Sequence, residues 1–203
     1  NRFSREVAQA LSEQGFIALE GQALAYVPIT FASLDAYLAG LSKNRRSSLK
    51  RKLKSRDQLS IERIPTGPAF ADEARVDAYY TLFDAVYAQS EIHFDKLTRA
   101  FFANLLRNGD NGGIVFEYRD LESRALLGWN LCFEHGGKLI DKYIGLSYPA
   151  ARTANLYFVS WMVNLEYALE RGLSHYVAGW TDPEVKAQLG ASFTMTQHAV
   201  FIR

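Results

Sequence analysis

The sequence predicts a mixed α/β fold organised around one apolar helix. Three strand-like stretches follow one another closely, at residues 113–119, 125–134 and 138–146. An apolar helical stretch at 156–172 then precedes another strand-like stretch at 175–180, and this order is typical of a parallel pair. From residue 59 onward the predicted order is β-α-α-β-β-β-α-β-α-β, which indicates a sheet with both antiparallel and parallel neighbours.

Composition excludes several classes of protein. With 48% hydrophobic and 22% charged residues in 203, the chain is typical of a folded globular protein and not of a disordered or fibrous one. The single cysteine, Cys132, lies in the apolar run LLGWNLCF, which rules out an internal disulfide framework and predicts a buried, inert thiol. This cysteine usage fits a reducing compartment, so we expect a cytoplasmic location.

No stretch of the sequence predicts a membrane span or a signal peptide. The longest charge-free run of the central region, Thr153 to Leu165, has 13 residues, whereas a spanning helix needs about 20. The first residues carry neither an initiator Met nor a signal-peptide pattern. We therefore expect an excised or processed piece of a longer protein.

Residues 1–58 are predicted to form an N-terminal extension and residues 59–203 the main domain. The extension begins with a helix over 1–15 that ends at Gly15, and Gly21-Gln22 between two apolar stretches predicts a hairpin. Ser33 is placed to cap a further helix. The extension is either a remnant of an upstream domain or a link to one.

A basic helix is predicted between Lys43 and Arg56. This segment holds eight basic residues and no acid, which leaves 23 − 8 = 15 basic against 22 acidic residues elsewhere. Leu49 and Leu53 form a thin apolar seam on it. The cationic face is either solvated, or a connector between domains, or a surface for an anionic partner: acyl carrier protein, tRNA or membrane headgroups. It lacks the interleaved aromatic residues that stack on bases, which weakens the nucleic-acid interpretation.

The main domain continues with further elements that fit the fold. A strand at 59–64 is followed by two helices with apolar residues at helical spacing, at 72–89 and 96–107. A short helix at 183–190 and a closing strand at 194–202 complete the chain.

A candidate anion site lies in the turn before the central helix. Arg152, Thr153 and Asn155 stand where this helix begins, and unpaired backbone N–H groups there favour an anion such as a pyrophosphate. Asn155 is equally explained as the helix N-cap. In such a sheet we expect the ligand where the parallel strands separate, between 138–146 and 175–180.

This element order, with the loop that opens the central helix, resembles the GNAT acyltransferase superfamily. The segment YLAGLSKNRRSSLKRKL is similar to the basic helix of the bacterial Fem-type peptidyltransferases and their predicted N-acyltransferase relatives. The segment from Gly145 to Ala191 resembles the closing half of the same group, with Ala168 and Gly172 ending the helix and Lys186 before Leu189-Gly190. The resemblance covers roughly residues 28–203.

Two departures leave the donor open. Relatives often carry His and Glu where this chain has Asn155, Leu156 and Tyr157, and Arg152 lacks the glycines that follow it in the usual pyrophosphate loop. In Fem-type relatives the donor is an aminoacyl-tRNA, whereas the wider superfamily implies acyl-CoA, with an acetyl or longer acyl group. For acyl-CoA the resemblance implies binding by strand 138–146, whose amides would polarise the thioester, and by the following loop: Gly145, Leu146, Arg152, Thr153, Ala154 and Asn155.

Asp141 and Tyr143 are the candidate catalytic residues. Strand alternation predicts that Asp141, Tyr143 and Gly145 share one face and that Lys142 points to the other. Asp141 would act as a base or bind the amine, and Tyr143 would donate a proton or shape the site. The alternative is that Asp141 forms an ordinary ion pair or reaches water.

The candidate substrate-binding residues are Tyr148, Trp180, Asp182, Lys186 and His198. Lys186 matches a Fem-type position associated with the substrate or donor, and the alternative is a solvated lysine on a short helix. His198 is placed to line an acceptor groove, although a lone strand histidine is more often packed or solvated. The four histidines show no metal-ligand spacing, so we expect no metal.

Three functions follow from these observations. The first is an N-acyltransferase that moves an acyl group from acyl-CoA or acyl carrier protein to a primary amine of a small molecule or peptide. The second is a Fem-type transfer from aminoacyl-tRNA to a cell-wall precursor. The third is a non-catalytic domain that positions a partner.

Overall fold

The computed structural model describes residues 3–90, 93 and 96–202. The described chain forms two compact units: a larger one from 28 to 176, and a smaller one made of the two ends, up to residue 27 and from 177 onward. The predicted boundary at 58/59 lies inside the larger unit. Residues 1 and 2 of the predicted first helix lie outside the described residues.

From residue 59 onward the helices and strands follow the predicted order, with the short helix α6 added before the central helix, which confirms the mixed α/β class. The helices are α1 Arg5–Glu13, α2 Leu34–Gly40, α3 Lys43–Leu53, α4 Glu73–Gln89, α5 Arg99–Arg107, α6 Ala150–Thr153, α7 Leu156–Glu170 and α8 Pro183–Gln188. The strands are β1 Ile17–Pro28, β2 Leu59–Pro65, β3 Gly113–Asp120, β4 Leu126–His135, β5 Lys138–Leu146, β6 His175–Gly179 and β7 Ser192–Val200.

The larger unit holds four consecutive antiparallel strands in the order β2-β3-β4-β5. Their stretches are rich in β-branched and aromatic residues, and short turns join β3 to β4 and β4 to β5. Val115 pairs with Leu131, and Leu131 pairs in turn with Tyr143. The predicted strands at 59–64, 113–119, 125–134 and 138–146 are confirmed.

The helices of the larger unit begin where capping residues allow it. The side chains of Ser33, Asp72 and Thr98 each accept a hydrogen bond from a backbone N–H in the first turn of α2, α4 and α5. The predicted cap at Ser33 is confirmed. The predicted helix at 96–107 begins later, at Arg99, because Thr98 caps it.

The two faces of this sheet are covered by different helices. Helices α4 and α5 cover one face, where Phe83 and Phe102 pack with Trp129 and Leu131 in one buried apolar cluster. Helix α7 covers the other face, and α2 and α3 pack on its outer side through a Trp161–Tyr37 hydrogen bond and a Lys52–Phe158 contact. Because α7 is enclosed on both sides, it is apolar around most of its circumference.

The predicted hairpin in the smaller unit is wrong. Residues 17–28 form one strand, β1, which pairs antiparallel with β7, and the register shifts between Glu20 and Ala23. Gly21 therefore marks a bulge instead of a turn. A Cβ on Gly21 would lie 2.3 Å from Thr196 Oγ1 and 2.4 Å from His198 Nε2, so only glycine fits beneath these side chains.

A second bulge changes the faces of β5. Leu131 pairs with Tyr143 while its neighbour Cys132 pairs with Asp141, so Lys142 is an extra residue in β5. An extra residue inverts the alternation of side chains beyond it. Asp141 and Tyr143 consequently lie on opposite faces of the sheet, and the prediction that they share one face is wrong.

Candidate functional site

A cavity of about 320 Å³ lies at the start of α7 in the larger unit. The end of β5, the short helix α6 and the first turn of α7 form its walls. The lining residues are Leu146, Tyr148, Ala151, Arg152, Asn155, Leu156, Tyr157 and Phe158. The structure thus brings four of the predicted ligand residues together, and it adds an apolar wall that the sequence did not indicate.

Arg152 supplies positive charge at this cavity. Its guanidinium lies 4.8 Å from the centroid of the Tyr148 ring, and its Nη2 donates to Gln89 Oε1 at 2.6 Å. These two contacts hold the side chain in place. Because it is also exposed, an anionic ligand can reach it. The Tyr148–Pro149 peptide bond next to it is cis.

Asn155 is the N-cap residue of α7, as the sequence indicates, but its side chain makes no capping hydrogen bond. Its backbone is left-handed, with φ 50° and ψ 34°. The Nδ2 group donates instead to the Thr153 carbonyl at 3.4 Å. The first backbone N–H groups of α7 have no carbonyl acceptor within the helix, so their dipoles add to the positive potential at the cavity.

The basic helix α3 is fixed beside this cavity. Lys52 Nζ lies 3.3 Å from the centroid of the Phe158 ring, which is part of the cavity wall. Ser55 Oγ donates to the Ala154 carbonyl at 2.6 Å, and Arg56 Nη2 donates to Glu166 Oε2 at 2.5 Å. Burial and the neighbouring Arg51 lower the pKa of Lys52. The exposed basic side chains of this segment are Lys43, Arg45, Lys50, Arg51 and Lys54.

The predicted basic helix is therefore confirmed as an element, with a 3-10 turn over Lys54–Gln58 at its end. Leu49 is buried and Leu53 half-buried, as the apolar seam predicted.

Asp141 lies on the α7 face of the sheet within a polar network. Its Oδ2 accepts from Asn164 Nδ2 at 3.0 Å and from the Tyr176 hydroxyl at 2.8 Å. The side chain is half-buried, while Lys142 is exposed and its Nζ lies 5.5 Å from the Tyr143 ring. The role of Asp141, as a base or as a member of an ordinary ion pair, stays a prediction.

Tyr143 and Gly145 lie on the opposite, α4 face. The Tyr143 ring packs edge-on against Phe83 at 6.2 Å. A Cβ on Gly145 would lie 2.4 Å from Trp129 Nε1 and 2.9 Å from Leu82 Cβ, so glycine is required there for packing. Tyr143 therefore cannot share a reacting group with Asp141 across the sheet.

The remaining predicted residues belong to the smaller unit. Lys186, on α8, is only 4% exposed, so it is not a solvated lysine, and a buried ammonium needs compensating partners. Asp182, at the start of α8, has a left-handed backbone. Trp180 is 38% exposed, and His198 is an exposed residue of β7. Their roles, and a ligand between 138–146 and 175–180, stay predictions.

Sequence reasoning missed two groups of residues. Lys52 and Phe158 are far apart in the chain, and nothing local indicates their contact. Asn130 and Asn164 are both 0% exposed and hydrogen-bonded to each other, and each interrupts an otherwise apolar stretch. A polar residue inside a buried helix or strand is a signal that could have identified them.

Within the residues that the structure describes, no helix is long and apolar enough to cross a membrane. Across the same residues, no three His, Cys, Asp or Glu side chains lie close enough together to hold a metal ion.

Comparison with known proteins gives one family and several similar structures. Residues 2–202 match the FemAB-like family, described as peptidoglycan biosynthesis/recognition. No curated protein matches the chain. FemX is structurally similar, with a TM-score of 0.70, 14% identity, and coverage of 98% of this chain and 69% of that chain.

Two further structures share the fold. The C-terminal domain of a putative lysylphosphatidylglycerol synthetase from Agrobacterium fabrum has a TM-score of 0.68 at 13% identity, with 98% of this chain and 66% of that chain covered. L-PGS from Bacillus licheniformis has a TM-score of 0.68 at 10% identity, with 96% and 65% covered. The chain thus spans about two thirds of the length of these structures.

The family match confirms the predicted resemblance to the Fem-type proteins, and FemX shares the fold of this chain. Because the match spans nearly the whole chain, the protein belongs to the FemAB-like family.

Proposed function

We propose that this protein transfers an aminoacyl group from an aminoacyl-tRNA to a primary amine of a cell-wall precursor. The observation that carries the proposal is the position of the basic helix. It is fixed against the first turns of α7, and Lys52 contacts Phe158 in the cavity wall.

This arrangement suits a donor whose anionic part is much larger than its reactive end. The exposed cations of α3 would contact successive backbone phosphates of the tRNA, and these contacts supply affinity without reading sequence. A nucleotide near the single-stranded end of the tRNA would stack in the cavity, where Tyr148, Tyr157 and Phe158 offer rings, and the terminal ribose with its aminoacyl ester would extend from there toward Asp141. Arg152 would hold the last phosphate.

The reaction needs a base that deprotonates the acceptor ammonium and a proton for the departing oxygen. The acceptor ammonium gives one proton to the Asp141 carboxylate, and the neutral amine attacks the ester carbonyl. The new C–N bond forms as the bond from the carbonyl carbon to the ribose oxygen breaks. The nitrogen then loses a second proton, which the departing oxygen takes. The products are an amide and the free hydroxyl of the tRNA, and Asp141 returns its proton to water.

A thioester donor is the second candidate, because of the distance between the cavity and Asp141. Leu146 lies five positions after Asp141 in β5, or about 17 Å along the strand. Asn164 lies eight positions after Leu156 in α7, or about 12 Å along the helix. An extended pantetheine arm of acyl-CoA, with its pyrophosphate at Arg152, would span such a distance.

Binding of charged tRNA tests the first candidate. The expected affinity falls steeply with salt, and Lys50→Ala and Lys54→Ala each reduce the slope of log affinity against log salt by about 1. Lys138→Ala is the matched control, since Lys138 is an exposed lysine of the same unit outside α3. Salt-independent binding, or an equal effect of Lys138→Ala, would contradict the proposal.

Turnover then separates the donors. We expect labelled amino acid to pass from tRNA to a lysine-containing peptide, and no transfer from acetyl-CoA or longer acyl-CoAs. Transfer from an acyl-CoA alone would favour the second candidate, and turnover with either donor would exclude a non-catalytic domain.

A further inference from the structure

A continuous chain of buried hydrogen bonds crosses the larger unit and ends on Asp141. The Tyr118 hydroxyl donates to Asn130 Oδ1 at 2.9 Å, and Asn130 Nδ2 donates to Asn164 Oδ1 at 3.0 Å. Asn164 Nδ2 donates to Asp141 Oδ2 at 3.0 Å, and the Tyr176 hydroxyl reaches the same oxygen at 2.8 Å.

This chain has a single direction. The ionised Asp141 carboxylate only accepts, so the nitrogen of the Asn164 amide must face it and the Asn164 oxygen must accept from Asn130 Nδ2. The Asn130 oxygen is then left to accept from the Tyr118 hydroxyl. Each amide is thus oriented by its neighbour on the Asp141 side, and Asn164 and Tyr176 both donate to one carboxylate oxygen.

The side chains that lead to Asp141 are buried deep in the larger unit. Tyr118, Asn130 and Asn164 are 0% exposed, and Tyr176 is 1% exposed. Polar groups this deep cost stability unless every one is satisfied, and an apolar core at these positions would be simpler to build. The chain nevertheless ends on a half-buried carboxylate, which is the member that a substrate can reach.

We propose that Asn164 and Tyr176 are positioning residues that hold the Asp141 carboxylate in one orientation to accept the proton of the attacking amine. This inference rests on the proposed function, in either donor form. Asn130 and Tyr118 act one step further away, because Asn130 donates to the Asn164 oxygen and so supports the orientation in which the Asn164 nitrogen faces Asp141.

The titratable groups that face Asp141 within the larger unit do not compete for this role. They are the thiol of Cys132 on β4 and the hydroxyls of Tyr118 on β3 and Tyr176 on β6. Burial raises the pKa of all three well above the ordinary values, so they stay protonated near neutral pH. On α7 the facing group is the amide of Asn164, and Lys142 on β5 itself is exposed.

Two tyrosines of similar burial provide a matched test. Tyr176→Phe removes a hydroxyl that donates to Asp141, whereas Tyr37→Phe removes a buried hydroxyl that accepts from Trp161 Nε1 at 3.0 Å, outside the network. With charged tRNA and a lysine-containing peptide, we expect Tyr176→Phe to lower kcat about tenfold or more with KM within about twofold. Tyr37→Phe should lower only thermal stability.

A second readout does not depend on turnover. In protein labelled with ¹³C at aspartate, the Asp141 signal is assigned by its loss in Asp141→Asn, and its pH titration is followed. Removing a donor to the carboxylate raises its pKa, so the titration midpoint should rise in Tyr176→Phe and in Asn164→Leu, and stay unchanged in Tyr37→Phe.

These two readouts fail independently. If the wild type turns over no donor, the proposed function is wrong, while the titration still decides whether Asn164 and Tyr176 hold the carboxylate. An unchanged midpoint in Tyr176→Phe, or a kcat equal to that of Tyr37→Phe, would overturn the positioning role.

Discussion

Each face of the sheet in the larger unit carries one hydrogen-bonded carboxylate, and the two carboxylates differ in how far they are buried. On the α4 face, Glu117 is 1% exposed and accepts from Arg119 Nε at 2.6 Å and from the Tyr79 hydroxyl at 2.5 Å. Around it lies an aromatic cluster, in which Tyr79 stacks on Trp129 with ring centroids 5.3 Å apart. Here the carboxylate is enclosed and its partners are structural.

On the α7 face, Asp141 is half-buried at the end of an oriented chain of amides and hydroxyls. The same sheet thus keeps one carboxylate out of reach and presents the other. The comparison teaches that burial and hydrogen bonding alone do not identify a reactive group. What distinguishes Asp141 is that its carboxylate is half-buried, while the amides and hydroxyls that hold it are buried.

The largest effect on stability is expected on the α4 face. Trp129 is fully buried, and its Nε1 donates to the Tyr79 carbonyl at 3.0 Å. Trp129→Ala should lower the free energy of unfolding by about 3–5 kcal/mol, because it leaves a cavity and an unsatisfied carbonyl. Urea unfolding measures this change. A loss below about 1 kcal/mol would show that this face is not the main core.

A smaller effect is expected from Glu134, which faces α7. The Tyr167 hydroxyl, at 2.5 Å, and Arg171 lower the pKa of this carboxyl below its ordinary value of 4.5. A lowered folded-state pKa stabilises the protein above the unfolded value, and this contribution is lost as pH falls through the folded value.

Glu134→Gln should therefore reduce stability by under about 1 kcal/mol at neutral pH. The difference from wild type should shrink as pH falls below 4.5. Urea unfolding at several pH values checks this, with Glu62→Gln, an exposed glutamate of β2, as the control. A difference that grows toward acid pH would contradict the stated pKa direction.

Much of the fold could be predicted because local patterns determine it. Strand β5 has the predicted bounds, 138–146, and Asp72 begins α4 as its side-chain cap. The loop at 150–155 contributes to the cavity, and its position could be predicted because the sequence shows where a helix starts after a strand. Periodicity and capping residues carry this kind of information.

The sequence-based predictions failed at positions where a single residue departs from the local pattern. Lys142 is inserted into β5 as a bulge, and alternation counted through it puts Asp141 on the wrong face. Gly21 has the composition of a turn but lies beneath Thr196 and His198 inside a strand. Asn155 is the N-cap residue of α7, as the sequence indicates, but its left-handed backbone directs its side chain elsewhere.

The network could not be predicted because it joins distant positions. Asn130 and Asn164 are 34 residues apart, and Tyr118 and Asp141 come from different strands. A single sequence shows that these residues are polar within apolar stretches. It does not show that they meet, since this depends on how α7 packs on the sheet.

The most direct measurement compares the two carboxylates in the same transfer assay. Asp141→Asn should lower kcat by about 100-fold or more with little loss of stability, because it removes the proton acceptor. Glu117→Gln should lower stability and leave kcat of the folded protein near that of wild type. An Asp141→Asn variant that keeps the wild-type kcat would contradict the account.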